Sequence, residues 1–203
     1  GEPKAATGEV EAIRFLQIAR RSAIKARTQA ANQLHAVLVT APDELRGALA
    51  SLDTPTLVAR AARLLPGRVD GPTGAAKLAL VTLARRWQAL TAEIATLDAH
   101  LDQLTAACAP TLVELNGVGT QTAAALLTAA GDNPGRLRSE GSFASLCGTS
   151  PLDASSGRQQ RHRLNRSGDR QANAALYIIV LCRLRWDPAT QDYMARRLAE
   201  GRT

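Results

Sequence analysis

From Ala75 to Ala107 the chain holds neither proline nor glycine, and Ala76, Leu80, Leu83, Trp87, Leu90, Ile94, Leu97, Leu101 and Leu104 recur at unbroken spacings of four and three. Four heptads of large apolar side chains form a stripe on one helix face, and a partner helix must cover it. Residues 9–40 supply a second helix of similar length. They carry no proline or glycine after Gly8, and Ala12, Leu16, Ala19, Ala23, Ala26, Ala30, Gln33 and Val37 repeat with the same spacing. Large side chains fill the space that small ones leave, so an alanine seam facing a leucine seam predicts a long antiparallel coiled-coil hairpin over residues 1–109. Pro42, Gly47, Pro55, Pro66, Gly67, Gly71, Pro72 and Gly74 break its elbow into two brief helices near 43–50 and 55–65. The leucine stripe suits a second copy of the chain as well, so a homo-oligomer through the coiled coil is expected.

Composition agrees with helix throughout. The chain is 45% hydrophobic but only 3% aromatic, with alanine and leucine dominant, which favours packed helices over a sheet sandwich. The expected class is all-α. The formal net charge is +7, and nearly all the basic residues are arginine, which suits bidentate contacts to phosphate. Arginine-rich, alanine-rich sequences also follow from GC-rich coding, so charge alone does not select nucleic acid as partner. Arg14, Arg21, Lys25 and Arg27 give the first helix a basic flank that is equally a solvated surface. Cys108, Cys147 and Cys182 are isolated, odd in number and without CxxC spacing, and are expected reduced and buried in a cytoplasmic protein. No run of about eighteen apolar residues is present, so no membrane partner is expected. The opening Gly1-Glu2-Pro3-Lys4, without methionine, suggests a piece of a longer protein.

Pro110 marks the expected boundary of a second, compact helical domain, residues 110–203. Thr120 to Ala130 reads as a helix closed by Gly131 as a left-handed cap, and Ser139 to Cys147 as another. Asp169 stands where an N-cap belongs ahead of a long apolar helix, and Asp187-Pro188 starts a last one that ends at Gly201. Between the first helices, "LNGVGTQTA" from Leu115 to Ala123 has the form of a helix-hairpin-helix element. There Gly117 and Gly119 would permit a positive-φ turn, Val118 would plug the core, and free N–H groups at Thr120 would hold a phosphate oxygen. A plain helical hairpin is the alternative.

Asp153 to Arg170 reads "DASSGRQQRHRLNRSGDR". A serine hydroxyl is a poor nucleophile until a base, a metal or a positive field activates it. Arg158, Arg161, Arg163, Arg166 and Arg170 could bind a scissile phosphate and offset the charge developing on it, while Gly157 would let the backbone approach. By composition alone a Ser-Ser-Gly is a turn, His162 a solvated residue, and Asp153 an ion-pair partner or turn residue.

The order of motifs says more: the glycine hairpin at 117–119, Gly-x-x-Pro at 148–151, Ser156-Gly157, the basic run, then Ser-Gly-Asp-Arg-Gln-Ala-Asn-Ala-Ala-Leu at 167–176. This order resembles the C-terminal transposase domain of the insertion-sequence transposases that include the Piv-type DNA invertases and the bridge-RNA-guided recombinases. The resemblance is close over about residues 110–203. It implies cleavage and rejoining of DNA through a phosphoserine linkage, with DNA and a guide RNA as partners. It also implies Ser156 as nucleophile, with Ser155 the alternate by register. A RuvC-like domain with four acidic residues would bind Mg2+ in the full-length protein. Two departures stand out. Where many relatives have Lys-Gly-Asn and an arginine five residues after that glycine, this chain has Ser167-Gly168-Asp169 and Asn173. No acidic strand-borne set of the RuvC kind is present, so no metal or other cofactor site is expected here, and the fragment alone is expected to be inactive. A non-catalytic helical DNA-binding or scaffold protein is the alternative.

Overall fold

The computed structural model of the chain describes residues 3–133 and 135–201. Its helices are α1 (Glu9–Thr40), α2 (Asp43–Leu49), α3 (Thr54–Ala61), α4 (Pro72–Cys108), α5 (Pro110–Val113), α6 (Thr120–Ala130), α7 (Glu140–Leu146), α8 (Arg170–Trp186) and α9 (Pro188–Ala199). Between α7 and α8 lie two short strands, β1 (Leu152–Asp153) and β2 (His162–Arg163). The fold is all-α apart from that hairpin. The chain divides into two units, Gln17–Ala99 and Gly1–Leu16 with His100–Thr203, the divisions falling inside α1 and α4.

In the first unit α1 and α4 run antiparallel. Arg20 pairs with Asp98, the Arg27 guanidinium lies 5.6 Å from the Trp87 ring centroid, and Leu34 and Leu38 join Leu80 and Ala84 in one core. The elbow helices close that core with Leu45, Leu49, Leu57, Val58 and Ala61. Every member of the α4 stripe is buried or half-buried, as its spacing predicts. The α1 seam is a correction. Ala12, Ala19 and Gln33 are exposed, while Ile13, Gln17, Ala23, Ala30, Leu34 and Leu38 are buried. Near its two ends the buried face lies about one position further on, with Ile13, Leu34 and Leu38 in place of Ala12, Gln33 and Val37, while Ala23 and Ala30 of the expected seam stay buried; the larger side chains withdraw more apolar area from water.

In the second unit α6 packs on α8. Leu126, Ala129, Cys147, Ala172, Ala175 and Ile179 form the core, edged by Val118, Phe143, Leu146 and Leu176. Side-chain caps set the helix starts. Ser139 Oγ accepts the Ser142 N–H at 3.2 Å, Asp169 accepts those of Gln171 and Ala172 at 2.8 and 3.0 Å, and Asp187 accepts that of Thr190 at 3.2 Å with Pro188 following it. Such caps are worth about 1 kcal/mol each. Gly131 ends α6 at φ +83, the positive-φ region expected of a capping glycine, with ψ 176 and its N–H donating to the Leu127 carbonyl at 2.8 Å. The start of α1 and the residues before it lie against the α6 end, where Asp132 accepts the Val10 N–H at 3.0 Å and Asn133 that of Ala5 at 2.8 Å. Of the cysteines only Cys147 is buried; Cys108 is half-buried and Cys182 exposed. All three are free, and burial pushes the Cys147 and Cys108 thiols above their usual range.

Candidate nucleic-acid interface and serine hairpin

The segment expected as an exposed turn is a β-hairpin. Leu152 pairs with Arg163 and Asp153 with His162, and the Ala154 N–H donates to the Arg161 carbonyl at 2.8 Å. Ser156 and Gln159 exchange both backbone hydrogen bonds at 3.2 Å, leaving Gly157 and Arg158 as a two-residue loop. Gly157 has φ +59, while Arg158 stays at negative φ, which is the signature of a type II′ turn. The glycine is thus needed for the turn itself.

The two serines differ in their hydroxyls. Ser155 Oγ accepts the Arg161 N–H at 3.1 Å and donates to the Arg161 carbonyl at 3.4 Å, so it acts as a rung of the hairpin. Ser156 Oγ has no hydrogen-bond partner among the described residues and lies exposed at the tip. Asp153 is a turn residue, accepting the Ser155 N–H at 2.8 Å. The neighbouring Ser155, by its side chain and then its backbone N–H, together with the charge of His162, holds the Asp153 carboxyl below the usual carboxylate range.

The base of the hairpin is the opposite of its tip. A Cβ on Gly168 would stand 2.3 Å from the Gly148 nitrogen and 2.4 Å from its Cα, so the two backbones cross where only glycine fits. Gly148 itself has φ +70. Buried Asn165 ties this crossing, donating to the Ser145 carbonyl at 3.3 Å and accepting the Ser167 N–H at 3.0 Å and its hydroxyl at 2.7 Å. Asn173 donates to the Cys147 carbonyl at 2.9 Å, and the Asp169 N–H donates to that of Leu146 at 2.7 Å. Sequence reasoning passed over Asn165, and took the glycines only as motif letters; the glycine in each of two separated Gly-containing motifs was the available signal. Beside the crossing lies a pocket of about 260 Å3 whose lining includes Arg166, Arg170, Asn165 and Asn173. Arg158, Arg161, Arg163, Arg166 and Arg170 are all exposed, and none forms an ion pair among the described residues.

At the α5–α6 turn Gly117 has φ +82 and a Cβ there would meet Arg183 Cγ at 2.8 Å. Gly119 corrects expectation: it is extended (φ −87, ψ 164), caps α6 through its position, and has open space where a Cβ would go. One left-handed residue is enough because Val118 already turns inward to the core. The Thr120 hydroxyl donates to the Asp102 carboxylate. An acid at a helix N-terminus complements the helix dipole, so a carboxylate stands beside the N–H groups expected to meet phosphate.

Among the described residues no three His, Cys, Asp or Glu side chains gather as a metal centre, and no helix is long and apolar enough to cross a membrane. Residues 109–195 match the family model described as Transposase IS116/IS110/IS902 family. Over 134 residues the chain is 31% identical to a curated relative, the "Insertion element IS110 uncharacterized 43.6 kDa protein" of Streptomyces coelicolor, a match covering 64% of this chain and 33% of that protein. The matched stretch thus spans about a third of the relative's length. The glycine turn, the crossing, the serine hairpin and all of α8 fall within the family match.

Proposed function

We propose that this chain supplies the nucleophile and a DNA-binding surface of a transposase or site-specific recombinase, with Ser156 as the attacking residue. The observation that carries the proposal is the contrast between two adjacent hydroxyls, one consumed by the hairpin and one unpartnered at its tip, within residues similar to a transposase family. Ser156 Oγ gives its proton to solvent and forms the new bond to phosphorus, the phosphorus–oxygen bond to the neighbouring nucleotide breaks, and the departing strand-end oxygen takes up a proton, so the ester is conserved on the protein and the strand-end hydroxyl can reverse the step. No described side chain takes the hydroxyl proton in this structure. The unpaired guanidiniums of Arg158, Arg161, Arg163, Arg166 and Arg170 bind phosphate oxygens and offset developing charge.

Around that centre, the α5–α6 turn with Gly117, Gly119 and Thr120 grips backbone phosphate as a helix-hairpin-helix element, once the strand competes with Asp102. The α1–α4 hairpin acts as a coiled coil joining copies of the chain, and a guide RNA is a further partner. Magnesium chemistry belongs to an acidic domain of a longer protein. On this reading the chain supplies the nucleophile and depends on that domain for the metal.

The test uses the full-length parent with magnesium, guide RNA and DNA. A covalent DNA–protein adduct is expected, with the linked peptide containing Ser156. Ser156→Ala should abolish cleavage and leave binding largely intact; cleavage persisting in that variant, or an adduct on Ser155, overturns the assignment. Each phosphate-contacting arginine removed should flatten the slope of log affinity against log salt by roughly 0.9 on duplex DNA.

A further inference from the structure

The chain has only six aromatic residues, two of each kind, and two of them stand on the surface where α8 meets α9. Trp186, the last residue of α8, is 71% exposed, and Tyr193 in α9 is 55% exposed. Each carries a guanidinium: Arg185 lies 5.1 Å from the Trp186 ring centroid, and Arg196 and Arg197 lie 5.4 and 6.0 Å from that of Tyr193. Arg185 and Arg196 form no ion pair among the described residues. Other ring–guanidinium pairs differ. Arg14 beside Phe15 is bound by Glu11, and Arg27 beside Trp87 belongs to a helix pair where the ring is half-buried.

The corner holding these rings is fixed. Arg183 pairs with Asp187 at 3.0 Å, Asp187 caps α9, and Gln191 Nε2 donates back to the Leu184 carbonyl at 3.0 Å. Tyr193, Arg196 and Arg197 share one face of α9 by their spacing of three and four. An exposed ring with a free cation beside it suits a partner that offers flat π-faces and negative charge together. Unpaired nucleotides do so: bases stack on the rings and phosphates meet the arginines.

We propose that the α8–α9 corner is a stacking platform for unpaired bases of a single DNA strand, with Trp186 and Tyr193 as the stacking residues and Arg185 and Arg196 as phosphate contacts. The choice of DNA rests on the recombination function proposed above; the platform itself does not involve Ser156.

The test is titration of the chain with labelled oligothymidylate and, in parallel, with duplex DNA of equal length and with oligouridylate. Trp186→Ala and Tyr193→Ala should each weaken oligothymidylate binding about thirtyfold, the middle of the range for losing one stacked base, with duplex affinity nearly unchanged. Trp186→Phe, which keeps a ring, should retain most of the affinity. Equal losses on both DNA forms, no loss at all, or a change of oligomeric state in Trp186→Ala overturn the platform, the last by making the corner a protein interface. Tighter binding of oligouridylate than of oligothymidylate overturns the DNA assignment. Leu65→Ala, at an exposed leucine of the other unit, serves as a control that leaves every titration unchanged; the titrations read binding and not strand cleavage, so failure of the nucleophile assignment and failure of the platform are read separately.

Discussion

The Gly148–Gly168 crossing and the serine hairpin are neighbours on the chain, yet different forces hold them. At the crossing, backbone meets backbone with no room for a Cβ, and Asn165, Asp169 and Asn173 each tie a separate stretch of chain to the α7 end. In the hairpin every residue from Asp153 to Leu164 is exposed, and cohesion comes from backbone ladders, one carboxylate and one hydroxyl. Two-stranded hairpins without a buried face are marginal in water. The contrast teaches a division of labour: the crossing fixes where the loop leaves and returns, and the hairpin keeps Ser156 and its arginines on a structure that a bound strand can reshape at low energetic cost.

The largest expected effect breaks the crossing. Gly168→Ala puts a methyl onto Gly148 backbone atoms that cannot swing aside, and should lower unfolding stability by about 3 kcal/mol, measured by urea denaturation. A loss under about 0.5 kcal/mol, the range of ordinary surface changes, would show that the crossing is not tight. Removing the cap beside it, Asp169→Ala, should cost about 1 kcal/mol in the same experiment. Within the hairpin, Ser155→Ala should speed hydrogen exchange of the Arg161 amide about fivefold, one ordinary hydrogen bond's worth, while Ser156→Ala leaves it unchanged. If both serines behave alike, the distinction between rung and tip fails.

The smallest effect is acid sensitivity. Because folding depresses the Asp153 pKa, its contribution is present above the unfolded carboxyl value and disappears as pH falls through the folded one. Amide protection in the hairpin should therefore decline below about pH 4, and Asp153→Asn should remove that dependence. Protection at the crossing, governed by packing, should not follow the same curve.

Sequence pattern was a good guide where one force dominates. The α4 stripe, the caps at Asp169 and Asp187, and the all-α class are visible because large apolar residues and capping side chains act locally. The α1 face was misjudged by about one position, since alanine spacing says little when leucine and isoleucine on an adjoining seam bury more area. Gly119 looked like a turn residue but stands extended, and the crossing was invisible because it joins residues far apart in sequence. The hairpin was hidden for another reason. Its strands carry no alternating apolar residues, so only the glycine at the first loop position marks a type II′ turn.

That turn has a consequence for evolution and design. A strand sends successive side chains to opposite sides, so the loop sorts its two serines by parity, one hydroxyl turned back to Arg161 and the next turned out. Inserting a single residue between Ser156 and Gly157 would move Ser156 into the place that faces Arg161 and Ser155 off it without changing either amino acid, because the loop sets the register and a one-residue slip flips every side chain behind it. Which hydroxyl is offered to solvent is here a matter of counting along the chain, and a length change of one would alter it as surely as a substitution.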